Sequence, residues 1–274
     1  MNKYLIFKHN PNLENIKTIT KTISINRPIG SINLKNVKQY ISTKLKEIGL
    51  TFEEQFFSQI IRNKNYNFSN LIAYNKSNNN KYILLAAHID SIDNCDAAID
   101  SASSIGIIIE LVRCLLIYNH NYPLMVVFFD GEEAIDGEWA KDNTLIGSKY
   151  FVNNYDISKI ECLYLLDLIG GSKNYNKIVA YNNNPNSHKK IKIMHDINLK
   201  YKYQIFIDPN VRISYKNIDD DHVPFQEKNI DVIDFIPDVF PYQHHKPTDT
   251  YENLNWTYID VFSRVFYEYL TNLK

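Results

Sequence analysis

The residues of this chain that can do chemistry stand just past its apolar runs. LMVVFFDGEEA (124–134) ends in two adjacent glutamates, Glu132 and Glu133. His88 and Asp90 close KYILLAAHID (81–90), and Asp100 opens the helical run that follows. Asp167 lies in CLYLLDLIGG (162–171), Asp219, Asp220, Asp221 and His222 open another helical run, and His244 and His245 come after IDVIDFIP (230–237). A lone acid in such a place is usually a helix cap or a solvated turn. Recurrence at run after run calls for a common cause. One or two carboxylates with one or two imidazoles make a zinc ligand set, with donors about 2.0–2.2 Å from the ion. Adjacent side chains on a strand point to opposite faces. Both glutamates therefore reach one pocket only if the strand ends before them, at Asp130-Gly131. One carboxylate can then bind a metal while its neighbour stands beside it as a general acid or base.

The elements that must position these residues alternate in type. Ser31-Ile32-Asn33 offers caps for a helix through VKQYISTKLKEIG, closed by Gly49, with Val37, Tyr40, Ile41, Leu45 and Ile48 near a 3.6 period. TFEEQFFSQII (51–61) and NLIAYNK (70–76) read as strands. The runs at 81–90, 124–130, 162–171 and 230–237 read as strands buried on both faces. Helices are expected over 101–119, 144–155 and 188–201, at a short stretch from Asp220, and over 256–273, whose aromatic ladder has core spacing. The alternation predicts an α/β fold with a central, mostly parallel mixed sheet flanked by helices on both faces. Ligands in such sheets bind beyond the carboxyl ends of the strands, where the acids and histidines lie. Residues 1–16 read as an N-terminal arm and 17–274 as one catalytic domain. NKSNNNK (75–81) and YNNNPNSHKK (181–190) read as solvated turns.

Composition excludes several classes. The 274 residues are 45% hydrophobic, ample for one large core. A net charge of -1 with scattered lysines gives no footprint for nucleic acid. On a reading of the sequence no apolar run approaches the roughly 18 residues that span a membrane, and MNKYLIF is short for a leader core of about 7–15 residues. Cys95, Cys114 and Cys162 form no CxxC pair and read as buried or free thiols. Asp130 is expected to shape its turn, His222 to act as a structural hydrogen-bonder, and His120, His188 and His195 to lie on the surface.

Taken together, RPIGS (27–31), FSNLIA (68–73), AAHIDS (86–91), AIDSASS (98–104), FFDGEEA (128–134), LIGSKYF (145–151), LYLLDLIGG (163–171), DDDHVPF (219–225), FIPDVFP (235–241) and HHKPTDTYENL (244–254) carry a resemblance. The chain resembles the animal-type zinc-dependent glutaminyl-peptide cyclotransferases, within the wider clan of zinc aminopeptidases, over roughly residues 17 to 273. The resemblance implies one zinc per chain, held by Asp100, Glu133 and His245. It implies Glu132 as general acid/base, with Asp167 and Asp220 as acidic partners beside it. Trp139, Ile218 and Phe240 would line the pocket for a glutamine side chain. The implied reaction cyclises an N-terminal glutamine, or a glutamate, of a peptide or protein. The implied protein is a monomer of the secretory pathway or extracellular space, although no leader is visible.

Two departures from the family pattern stand out. The segment before Trp139 is one residue longer, and His244 replaces the usual tryptophan before the zinc histidine, as a pocket wall or a supporting group. Ala87 stands at one cysteine position of the disulfide found in secreted animal members. The nearest rival is a two-zinc aminopeptidase of the same clan, with His88 and Asp167 holding the second ion and Asp100 bridging. The run Asp219-Asp220-Asp221 favours the cyclase, because aminopeptidases usually place a serine before a single Asp-His. A silent binding protein would have lost its base or a ligand, and all are present here.

Overall fold

The computed structural model describes residues 10–75, 81–171, 178–181, 185–208, 218–237 and 239–273. Seven strands form one mixed sheet: β1 (Thr51–Ile61), β2 (Lys64–Tyr74), β3 (Tyr82–His88), β4 (Leu124–Phe129), β5 (Ile160–Leu166), β6 (Ile178–Tyr181) and β7 (Asp231–Pro237), in the order β1-β2-β4-β3-β5-β7-β6. β3, β4, β5 and β7 are mutually parallel. β2 and β6 run antiparallel at the two flanks of this parallel core, and β1 extends the β2 side. The parallel strands therefore all end at one edge, and that edge carries the acids and histidines.

The helices among the described residues are α1 (Leu13–Ile23), α2 (Ile32–Glu47), α3 (Ser103–Tyr118), α4 (Ile146–Asn154), α5 (Pro185–Asn198), α6 (Val223–Glu227) and α7 (Trp256–Thr271). Alternate strand residues feed two cores. Leu85, Val126, Phe128, Tyr164 and Phe235 pack with α1, α2, α3, α5 and α7 on one face. Leu84, Met125, Val127, Phe129 and Leu165 pack with Phe151 of α4 and Phe225 of α6 on the other. Burial on both faces explains why these strands read as continuous apolar runs.

Several local expectations change. Residues 13–16, assigned above to the arm, form the first turn of α1, capped by Asn12, and Ile16 is fully buried. Residues 1–9 lie outside the described residues. β2 starts at Lys64 rather than at Asn70, because Arg62 and Asn63 both take positive φ and close a two-residue hairpin. NKSNNNK lies, at 76–80, outside the described residues. In YNNNPNSHKK, Tyr181 ends the unforeseen edge strand β6 and Pro185 opens α5. Ala98–Tyr118, contrary to the reading of apolar runs above, is long and apolar enough to cross a membrane by length and composition. The chain buries most of it against the sheet, with Ile105, Ile108, Leu111 and Leu115 all in the first core. All three cysteines are buried and free.

Candidate active site

Beyond the ends of β3, β4, β5 and β7 lies a cavity of about 320 Å³. It is lined by all ten residues singled out in the sequence: Asp100, Glu132, Glu133, Trp139, Asp167, Ile218, Asp220, Phe240, His244 and His245. Leu168, Asp219 and Ile236 complete the lining. Trp139 and Phe240 are about two-fifths exposed and form the rim, whereas Asp100, Glu132, Glu133 and Asp220 are buried. A larger hollow of about 590 Å³, between α2 and the β1–β2 hairpin, gathers no imidazole. The chemistry is therefore assigned to the smaller cavity.

The turn after β4 is built to present two carboxylates. Gly131 takes φ +77, and a Cβ there would sit 2.8 Å from the Phe68 ring, so only glycine fits. Asp90, fully buried past β3, holds the turn from below. Its Oδ1 accepts the amides of Gly131 (3.0 Å) and Glu132 (3.2 Å), and its Oδ2 accepts that of Glu133 (3.2 Å). Contact with His88 and these amide bonds hold Asp90 below the usual carboxylate range, against the burial that would raise it. Asp130 shapes the turn as expected. Its Oδ2 accepts the Ser69 amide at 2.7 Å and the Lys38 ammonium at 2.5 Å.

Asp100 is held by residues that the sequence reading did not single out. Asp249 accepts the amides of Ile99 (2.7 Å) and Asp100 (3.2 Å). Arg27, fully buried, donates to the carbonyls of Ile89 (2.8 Å), Asp96 (3.0 Å) and Ala97 (3.2 Å), bracing the loop between β3 and Asp100. The signal for Arg27 lay in RPIGS, which was noted only as part of the resemblance. Asp249 follows His245 closely but has no periodicity to mark it.

The donors converge. His245 Nε2 lies 3.2 Å from Glu133 Oε2 and 3.4 Å from Asp100 Oδ2. Two donors each about 2.0–2.1 Å from one tetrahedral ion stand roughly 3.3–3.4 Å apart, so these separations fit a shared zinc. His245 adopts φ +58, a left-handed conformation that aims its ring inward at some backbone cost. His88 Nε2 reaches the other oxygen of Asp100 at 2.9 Å and Asp167 Oδ1 at 3.4 Å. His244 stacks on His245 with ring centres 3.7 Å apart, meets Phe240 edge-on and brings Nε2 to 3.6 Å from Asp100 Oδ2, so it lines the cavity and also stands beside the Asp100 carboxylate.

The electrostatics express an excess of buried acid. Burial, then the neighbouring charges of Glu133, Asp220 and Asp221, push Glu132 well above the usual carboxylate range, and His88 opposes this only in part. Burial and the Asp100 charge raise Glu133 to about 7. Burial, Asp234 and Asp167 push Asp220 well up. Asp100 is held well below, because its bonds to His245 and His88 overcome burial. His245 rises to about 10 on its bonds to Asp100 and Glu133, again against burial. The protons drawn onto these groups occupy the place of a cation, and a divalent ion would satisfy the same donors.

His222 stands at the N-cap position of α6 and is buried; it makes no capping hydrogen bond, and its Nδ1 has no hydrogen-bond partner among the described residues. His120 and His188 are exposed, as expected, while His195 is half-buried.

The sequence signature of peptidase family M28 matches residues 70–270. The chain is similar to glutaminyl-peptide cyclotransferase of Drosophila melanogaster, at 29% identity over 163 residues, covering 54% of this chain and 46% of that protein. The chain spans about half the length of the curated relatives it matches. Its fold is similar to that of Macrostomum lignano glutaminyl cyclase, with a TM-score of 0.87 and 23% identity over 97% of this chain and 90% of that one. It is also similar to a Zn-dependent exopeptidase of Parabacteroides distasonis, with a TM-score of 0.81 and 18% identity over 96% and 99%. At these identities the two structures speak for the fold alone.

Proposed function

Because the chain belongs to peptidase family M28, we propose that its cavity is a single-zinc site that cyclises an N-terminal glutamine of peptides or proteins to pyroglutamate. The observation that carries this reading is the division between the adjacent glutamates. Glu133 meets His245 and, through it, Asp100. Glu132 lines the same cavity, is buried and holds its proton unusually well. The separations of His245 from Glu133 and from Asp100 each suit a shared zinc ion, which when bound would polarise the γ-amide carbonyl as a Lewis acid.

The remaining work falls to the protein's own groups. Trp139, Ile218 and Phe240 would hold the glutamine side chain so that its α-amine meets the carbonyl carbon of its own γ-amide, which removes the entropy cost of bringing them together. Glu132 would take a proton from the attacking amine and pass it to the departing ammonia, worth roughly 10²–10⁴-fold. Asp167 and Asp220 would share that proton, since carboxylates packed this closely cannot all ionise. His244 would form part of the entrance wall. The likeness to Drosophila glutaminyl-peptide cyclotransferase supports this assignment. The reading extends to a monomer acting in the secretory pathway or outside the cell, with a Glu-initiated peptide as the second substrate to assay.

One observation favours a second reading. Asp100 offers one oxygen to His88 and the other to His245, as a carboxylate bridging two ions would. A two-zinc aminopeptidase would use that bridge. Incubation with a Gln-initiated peptide separates the two. Ammonia release with a loss of about 17 Da from the peptide, abolished by a chelator and restored by zinc, is expected. Release of the free N-terminal amino acid instead would establish the aminopeptidase, and no reaction in zinc-loaded protein would remove the main reading.

A further inference from the structure

On the α6 side of the sheet lies a second group of donors. Asp234 interrupts the apolar strand β7 and is fully buried, and among the described residues neither of its carboxylate oxygens has a hydrogen-bond partner. His222 faces it from the start of α6. Its Nδ1 stands 3.3 Å from Asp234 Oδ2, yet no hydrogen bond forms. Asp220 uses one oxygen to accept the Asp221 amide at 2.6 Å and leaves Oδ2 without a partner. One donor atom from each of Asp220, His222 and Asp234 lies within 4.8 Å of the other two. Among the described residues no lysine or arginine pairs with Asp234.

Buried polar atoms are nearly always satisfied, and unpartnered atoms on three side chains gathered this closely call for a common partner. The 3.3 Å separation of nitrogen and oxygen is again the edge of a tetrahedron around one ion. One imidazole and two carboxylates suit zinc. They do not suit magnesium or calcium, which take oxygen ligands in greater number.

We propose that Asp220, His222 and Asp234 form an inner cation site that takes one divalent ion of the zinc type. It shares no ligand with Asp100, Glu133 and His245. The ion ties the start of α6 to β7 and fixes Asp220 from behind while that residue faces the cavity. This goes beyond the proposed reaction and does not depend on it; with the inner ion bound, Asp167 alone shares the Glu132 proton and Asp220 serves as a fixed negative charge beside it.

The test is zinc per chain, by elemental analysis, after chelator stripping and reloading with Zn²⁺. The wild type is expected to hold two ions, Asp234→Asn and His222→Gln one, and His245→Ala one. The zinc-dependent rise in melting temperature should shrink in Asp234→Asn. One ion in the wild type overturns the inner site. So does a count that stays at two in Asp234→Asn and falls to one in His88→Gln, because the second ion then sits on Asp100. If neither inner-site variant folds, Co²⁺ loaded into His245→Ala decides: a visible ligand-field band supports the site, and a colourless protein sinks it. The proposed reaction fails by a different sign, an absence of ammonia release with the outer ion in place.

Discussion

The carboxylate of Asp90 and the backbone of Glu133 are joined at 3.2 Å, and the same carboxylate takes the amides of Gly131 and Glu132. One buried side chain therefore fixes the segment from which both functional glutamates project. Asp90→Asn keeps one acceptor oxygen and turns an NH₂ group toward an amide. The expected result is a loss of about 1–3 kcal/mol of stability for the amide left unsatisfied. A fall in kcat of roughly 100-fold should accompany it, since small misplacements at a reacting centre cost that much. Denaturant unfolding and steady-state kinetics on a Gln-initiated peptide measure the two effects.

Glu132→Gln keeps the size of the side chain and removes its proton transfer. It should fold, bind zinc as the wild type does, and lose roughly 10²–10⁴-fold in kcat. Full cyclisation by this variant would overturn the role given to Glu132 and leave the fold untouched.

Gly131→Ala meets both a left-handed backbone and the Phe68 ring at 2.8 Å. The strain and overpacking together should cost about 2–4 kcal/mol. The melting temperature should drop, and activity should fall further than stability alone explains, because the next two residues move. Unchanged melting would mean that the Phe68 ring yields freely.

Asp130 supplies a pH signature. Burial raises its pKa to about 6, and the Lys38 ammonium offsets this only in part. In the unfolded chain the group titrates near 3.9. Between these values the native protein holds a proton that the unfolded chain has lost, so stability falls as pH rises from about 4 to 6. The contribution is about 3 kcal/mol for this buried group. Urea midpoints across that window should show the trend in the wild type relative to Asp130→Asn, which has no titrating group there. Parallel curves for the two proteins would refute the assignment.

Much of this was legible in the sequence because it depended on periodicity and local chemistry. The four parallel strands could be read as apolar runs, since both of their faces are covered. The seven acids and histidines among the assigned cavity residues could be read because the parallel strands deposit their next residues at one edge, whereas Trp139, Ile218 and Phe240 came only through the resemblance. What escaped had a tertiary cause. Helix α1 has a good apolar face, but its cap at Asn12 and its packing on α3 decide it. Strand β6 is four residues long and exists through pairing with β7. Asp249 and Arg27 act on backbone groups far along the chain, and no spacing encodes that. Asp234 did carry a signal, a lone acid inside a buried strand, and its meaning appeared only when His222 was seen opposite it.

The Asp90 clamp also bears on the order in which the molecule assembles. Asp90 and Gly131 are 41 positions apart, yet they follow directly on the paired residues His88 and Phe129 of β3 and β4. Once those two strands zip into register around the α3 crossover, the clamp needs no further loop closure. The glutamate turn therefore needs only β3 and β4 in place, whereas the placement of His245 also needs β7 docked on β5. A chain stalled between these events would carry its proton-transfer group already in place and its metal cage still open on one side.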